Sequence, residues 1–195
     1  MKTNEFYREE IRKRLTDARY RHSLNVADTA ARLAKRYGAD AEKAYTAGLA
    51  HDILKDTPKP EQRAYVLKYC GDADEILLTQ PALWHSVAGA EFLKNELDMD
   101  DPEIYLAVRY HTSGRKDMTL LEKVVFIADF ISADRAYPGV EEMRRYADAS
   151  LEQAIEEGLN FTICELCKKH QPIYKDTVDA YNDAVLHRLK ESING

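Results

Sequence analysis

An all-α bundle is the fold class the sequence predicts, on three observations. Apolar residues recur at helical spacing from end to end, and no segment sustains the period-two alternation of a half-buried strand. Capping and stop signals cut the chain into helix-length pieces separated by short breaks. The composition, 45% hydrophobic and 32% charged with 8 glycines and 6 prolines in 195 residues, is that of a helix-rich globular protein. A chain of this length supports one sizeable core, so residues 1–195 are expected to form a single domain, with no repeats.

The elements follow in order. The opening MKTNEFYREEIRKRL is polar and charged, so it offers no signal-peptide core. In the second helix His22, Val26, Ala30, Leu33 and Tyr37 share one face, and Gly38 stops it. Asp40 caps a third helix, read as AEKAYTAGLAHDILK, whose inner stripe is Ala44, Ala47, Gly48 and His51. Breaks at DTPKP and TQP and a stop at Gly71 precede PALWHSVAGAEFL, which aligns His85 with Ala88 and Phe92 and assigns Trp84 to packing. Asp101 and Pro102 open EIYLAVRYH, where His111 lines up with Ile104, Ala107 and Val108, and Gly114 in TSGRKD is the stop. Thr119 with Glu122 forms a capping box ahead of LLEKVVFIADFIS, and after the AYPG break Ser150 with Gln153 fits the same pattern. His170 falls in the KKHQP break, and His187 shares a face with Asp183 on the last helix, where it reads as exposed.

Charge and cysteine content exclude several classes of function. The net charge of -6 argues against a nucleic-acid surface, which needs concentrated positive charge. No apolar run approaches the roughly 20 residues of a membrane span, so the expected location is the cytoplasm. Cys164 and Cys167 form a lone CxxC without a second ligand pair; they are expected to be small core residues of a reduced protein.

Four histidines on apolar stripes of four separate helices are the most informative pattern. Asp129 adds a carboxylate to the middle of an almost continuous apolar helix, and Asp52 sits beside His51. Carboxylates are seldom buried without partners, because burying an ionisable group costs several kcal/mol unless a counter-charge or metal offsets it. Imidazoles and carboxylates converging without thiolates suit iron, manganese, zinc or cobalt better than calcium or an iron-sulfur cluster.

The order His22, then His51-Asp52, then Asp129 matches the H…HD…D ligand pattern of the HD-domain superfamily of metal-dependent phosphohydrolases, with two further histidines in between. The chain resembles its YqeK-type branch almost throughout, from RYRHSLNVADTAARLAKRYGAD through LAHDILKD, LWHSVAGA and VRYHTSGRKDMTLLEKVVFIADFISADRAYPGVEEMR to KHQPIY. That resemblance implies a helical HD-domain bundle and symmetrical cleavage of diadenosine tetraphosphate, water attack at an inner phosphorus giving ADP twice. It also implies two divalent ions, iron first, with manganese, cobalt or zinc as alternatives. His22, His51, Asp52 and Asp129 are assigned to one ion, and His85, His111 and a bridging Asp52 to the other. Where the family usually has Ile-Glu-Pro, this chain has Ile131, Ser132 and Ala133, which bears on phosphate contacts rather than on the ligands.

Phosphoryl-transfer catalysis is largely alignment plus electrostatic stabilisation, so cations beyond the metals are required. Arg19 lies one turn before His22, and Lys55 follows His51 by four residues, so both fit the ligand-bearing face as phosphate clamps. Asp52 and Lys55 are the expected catalytic residues. Thr112, Ser113, Gly114 and Arg115 offer hydroxyls, a glycine and a guanidinium at the site's rim, and Arg135 is placed to swing over it. The alternatives are another HD-domain activity, a 5'-nucleotidase or guanosine-tetraphosphate hydrolase, and a nucleotide-binding HD protein without turnover. The expected partner is a small nucleotide; a homodimer is left open.

Overall fold

The structure, a computed structural model, describes residues 2–71 and 73–194. Side-chain caps fix most helix starts, each contributing about 0.5–2 kcal/mol. Thr3 accepts from the Phe6 amide at the head of α1 (Asn4–Arg14), and Asp40 accepts from the Glu42 and Lys43 amides at α3 (Ala41–Ala50). Asp74 caps α5 (Glu75–Thr79), and Asp101 caps α7 (Pro102–Tyr110) through the amides of Glu103 and Ile104. The reciprocal Thr119–Glu122 box heads α8 (Leu120–Ile131), whereas α10 (Leu151–Lys168) has only the Ser150 half of the box expected there. Gly38, at φ 82°, ends α2 (Asp17–Tyr37) in the left-handed conformation that favours glycine. With α4 (Lys59–Tyr69), α6 (Pro81–Glu96), α9 (Val140–Ala149) and α11 (Lys175–Asn194), the described residues hold eleven helices and no strand.

The third helix stops earlier than its sequence pattern suggests. α3 ends at Ala50, and residues 51–57 continue as turns bonded Ile53 to Ala50, Lys55 to Asp52 and Thr57 to Leu54. The reason is local: His51 Nδ1 donates to the Gly48 carbonyl at 2.6 Å, occupying the acceptor that the Asp52 amide would need to prolong the helix. His51 and Asp52 therefore sit at a helix end.

The main core runs through α2, α3, α6, α7, α8 and α10, with Leu33, Leu49, Ile53, Leu93, Ile104, Phe126, Ile127, Ile155 and Leu159 fully buried. α2 and α3 are in close contact at Gly48, where an added Cβ would lie 2.9 Å from the Ala27 Cα. A smaller cluster of Val66, Leu77, Trp84 and Val87 joins α4, α5 and α6, and Trp84 Nε1 donates to the Leu77 carbonyl at 2.7 Å, the packing role expected of it.

Cys164 and Cys167 depart from expectation: both are exposed. α10 buries Leu151, Ala154, Ile155, Gly158 and Leu159, and none of its residues beyond Leu159 is buried, so its last turns lie at the margin of the core. His187 is exposed, and His170 sits at a turn with φ 53°. No described helix is long and apolar enough to cross a membrane.

Candidate metal centre

Five segments deliver the polar cluster. α2 contributes Arg19 and His22, the end of α3 contributes His51, Asp52 and Lys55, α6 contributes His85, the end of α7 contributes His111 and Thr112, and α8 contributes Asp129. Gly48 lets α3 pack against α2 at Val26 and Ala27, between the positions of His22 and His51, since any side chain there would strike Ala27. Adjacent imidazoles meet edge to face, with ring centroids 5.3 Å apart for His22 and His51, 4.9 Å for His51 and His111, and 5.1 Å for His85 and His111.

Two compact groups emerge, His22–His51–Asp129 and His51–Asp52–His111, the donor atoms of each lying within 4.8 Å of one another. His22 Nε2 is 3.0 Å from Asp129 Oδ1, and His51 Nε2 is 4.0 Å from the same oxygen. Asp52 faces both groups. Its Oδ2 lies 3.7 Å from His51 Nε2, while its Oδ1 lies 3.2 Å from His85 Nε2 and 3.6 Å from His111 Nε2.

Protonation states favour a cation. The His51 and His111 Nδ1 atoms donate to the carbonyls of Gly48 and Val108, acceptors that require the proton on Nδ1 and leave the Nε2 lone pairs directed into the cluster. Burial pushes His51 down to about 4 and His85 to about 3, so both are neutral near pH 7. Burial alone would raise Asp52, but His51, His111, His85 and Lys55 hold it well below the usual carboxylate range. Asp129 is likewise depressed, His22, His51 and Arg135 outweighing its desolvation. For His22, burial opposes the charged form but the carboxylates of Asp129 and Asp134 prevail, and its pKa is raised. A metal would compete with that proton.

The donor set fits a divalent ion. His51 Nε2 is buried without a hydrogen-bond partner, at a position from which a ligand would reach a cation. Lone pairs of nitrogen and carboxylate oxygen facing one another repel unless positive charge lies between them.

The sequence comparisons bear on the same residues. The HD-domain family profile matches residues 19–134, from Arg19 to Asp134, more than half of the chain. The chain belongs to the HD-domain family. Within it, the Bacillus subtilis protein named bis(5'-nucleosyl)-tetraphosphatase, symmetrical, is 42% identical over 88% of this chain and 92% of its own length. The Staphylococcus aureus protein of the same name is 36% identical, covering 88% of this chain and 89% of that one. A crystal structure from Clostridium acetobutylicum, described as a predicted HD superfamily hydrolase involved in NAD metabolism, superposes with a TM-score of 0.92 at 33% identity, covering 96% and 99% of the two chains.

Around the HD cluster stand three cations. Arg19 Nη1 is 3.3 Å from Asp52 Oδ2, and Lys55 Nζ lies 3.0 Å from His85 Nε2 and 3.5 Å from Asp52 Oδ1. Arg135 pairs with the Asp129 carboxylate, and its Nε donates to the Asp129 carbonyl at 2.7 Å. Their side chains are 39%, 27% and 36% exposed, which places them where the buried cluster opens to solvent. Thr112 Oγ1 is 3.1 Å from His85 Nε2 and 3.0 Å from His111 Nε2.

Three residues expected at the rim are committed elsewhere. Ser113 is buried and donates to the Gly114 carbonyl. Gly114, at φ 65°, packs so closely that a Cβ would meet Ala180 at 3.1 Å and Leu159 at 3.4 Å, a packing constraint rather than an anion cradle. Arg115 forms a bidentate pair with the buried Glu122, at 2.6 and 2.7 Å. Of Thr112, Ser113, Gly114 and Arg115, Thr112 is the one that faces the cluster. Ser132 is buried at the end of α8 and Ala133 is exposed.

Asp134 was not legible from the sequence. It lies in the loop after α8 and accepts from His22 Nδ1 at 2.8 Å through Oδ2, while Asn25 Nδ2 donates to its Oδ1 at 3.0 Å. The one available signal was a carboxylate beside Arg135, too common in loops to be singled out.

Proposed function

We propose that this chain splits diadenosine tetraphosphate symmetrically into two ADP, using two divalent ions, with iron first and manganese, cobalt or zinc as alternatives. One observation carries the reading: Asp52 turns its two oxygens toward different sets of histidines, the disposition of a bridging carboxylate, in a chain whose near full-length relatives are named symmetrical bis(5'-nucleosyl)-tetraphosphatases. His22, His51, Asp52 and Asp129 would hold one ion, and Asp52, His85 and His111 the other. When bound, such ions activate water and neutralise phosphate oxygens.

The chain's own residues do the rest. Arg19, Lys55 and Arg135 are the cations able to exchange their present carboxylate partners for phosphate oxygens as a polyphosphate enters. Lys55 is the most deeply placed of the three, its ammonium between His85 and Asp52 where positive charge is most favourable. Thr112 contributes a hydroxyl at the His85–His111 side. Hydrolysis between the two inner phosphorus atoms leaves each adenosine with two phosphates, which is the symmetrical outcome. Residues 1–195 act as one unit in this reading.

The test is to incubate the metal-loaded protein with diadenosine tetraphosphate, nucleoside monophosphates and guanosine tetraphosphate, and to separate the products. ADP alone from the first supports the proposal. Release of nucleoside or of pyrophosphate from the others, with the first untouched, replaces it with the nucleotidase or guanosine-tetraphosphate reading. Elemental analysis of anaerobically purified protein identifies the ions.

A further inference from the structure

The two halves of the cluster are supported differently. On one side, consecutive loop residues grip two candidate ligands: Asp134 accepts from His22 Nδ1 at 2.8 Å, and Arg135 pairs with Asp129. Both oxygens of Asp134 are engaged, since Asn25 Nδ2 holds the other at 3.0 Å, so the carboxylate cannot rotate away without breaking a bond. The loop is itself fastened, because the Arg144 guanidinium donates to the carbonyls of Ile131, Ser132 and Arg135. On the other side, no carboxylate among the described residues backs a ligand. His111 Nδ1 meets only the Val108 carbonyl, and His85 Nδ1 is buried without a partner.

A carboxylate behind a ligating imidazole fixes its tautomer and orientation and raises its basicity; losing such a partner costs about 10- to 100-fold in metal affinity. We propose that Asp134 is a positioning residue for His22 and, through it, sets the metal affinity of the His22–His51–Asp129 half while leaving the Asp52–His85–His111 half unaffected. The inference rests on the dinuclear reading above. Asn25, one turn along α2 from His22, is the anchor that orients Asp134.

Asp134 is suited to a clean test, because its side chain is 37% exposed and its removal opens no core cavity. Metal-loaded wild type, Asp134→Ala and Asp134→Asn are challenged with graded chelator, and metal per chain is counted by elemental analysis. The alanine variant should release one equivalent at about 10- to 100-fold lower chelator concentration, with the second equivalent unchanged. The asparagine variant should recover part of that loss, because an amide oxygen still accepts the Nδ1 proton. Nitrogen-15 NMR of the imidazoles supplies a readout independent of activity: the His22 Nδ1–H signal should lose its hydrogen-bonded character only in the alanine variant. If neither equivalent moves, or both move together, Asp134 has no site-selective role. Wild type that carries fewer than two equivalents overturns the dinuclear reading, and the selective clamp with it.

Discussion

Replacing Arg115 by alanine distinguishes a structural cation from a phosphate-binding one. Glu122 is 1% exposed, and its carboxylate accepts from Arg115 Nε at 2.6 Å, from Arg115 Nη2 at 2.7 Å and from the Thr119 amide at 2.8 Å. Removing the guanidinium leaves a buried carboxylate with one donor. Breaking a buried pair from one side costs about 3–5 kcal/mol, and because the Arg115 side chain is 26% exposed, water entering the gap reduces this to about 2–3 kcal/mol. For a domain of this size that is a fall of about 4–12 °C in melting temperature. Thermal unfolding of the metal-loaded variant measures the loss, and steady-state kinetics on diadenosine tetraphosphate should give an unchanged KM. Adding Glu122→Gln removes the stranded charge, so the double variant should be more stable than Arg115→Ala alone. A variant that melts with wild type while its KM rises would return Arg115 to the phosphate-binding set and refute the reasoning.

Four further outcomes are expected. Asp52→Ala should lower metal content and abolish turnover, whereas Lys55→Ala should keep its metal and lose about 100-fold or more in kcat, the effect of removing one preorganised electrostatic contact; a Lys55→Ala enzyme with normal kcat and altered stability would make Lys55 structural. Gly48→Val should cost about 1–3 kcal/mol by forcing α2 from α3, and, because that crossing sets the His22–His51 spacing, it should weaken metal binding in parallel; undiminished metal affinity would uncouple the two. In chelator, stability should fall as pH drops from about 6.5 toward 4. The unfolded chain takes up protons there that His51, held to about 4, and His85, held to about 3, refuse while folded, at about 1.4 kcal/mol per pH unit for each histidine. His22, whose folded pKa is raised, acts in the opposite sense, adding stability as pH falls through the neutral range, so the loss is clearest between pH 6 and 5. Denaturant titrations at pH 7, 6 and 5 that give equal stability would contradict the burial of neutral imidazoles.

Helix type, helix starts and inward faces could be read from the sequence because they depend on short-range physics. A cap such as Asp40, Asp101 or Thr119 bonds amides two or three residues away, and a stripe such as His22, Val26, Ala30 and Leu33 is buried wherever the helix finds a core. The cluster was legible for the same reason: buried imidazoles and carboxylates are costly, so their presence on apolar faces already implied common partners. Only the tertiary structure decided the directions of loop side chains and the extent of the core. Arg115 turned to Glu122, Gly114 was pressed against Ala180, and Cys164 and Cys167 fell beyond the packed part of α10. Asp134 reached His22 across 112 positions of sequence. Loops carry no periodicity, and a hydrogen bond between distant segments leaves no mark on either one, so those partners exist only once the helices have been placed.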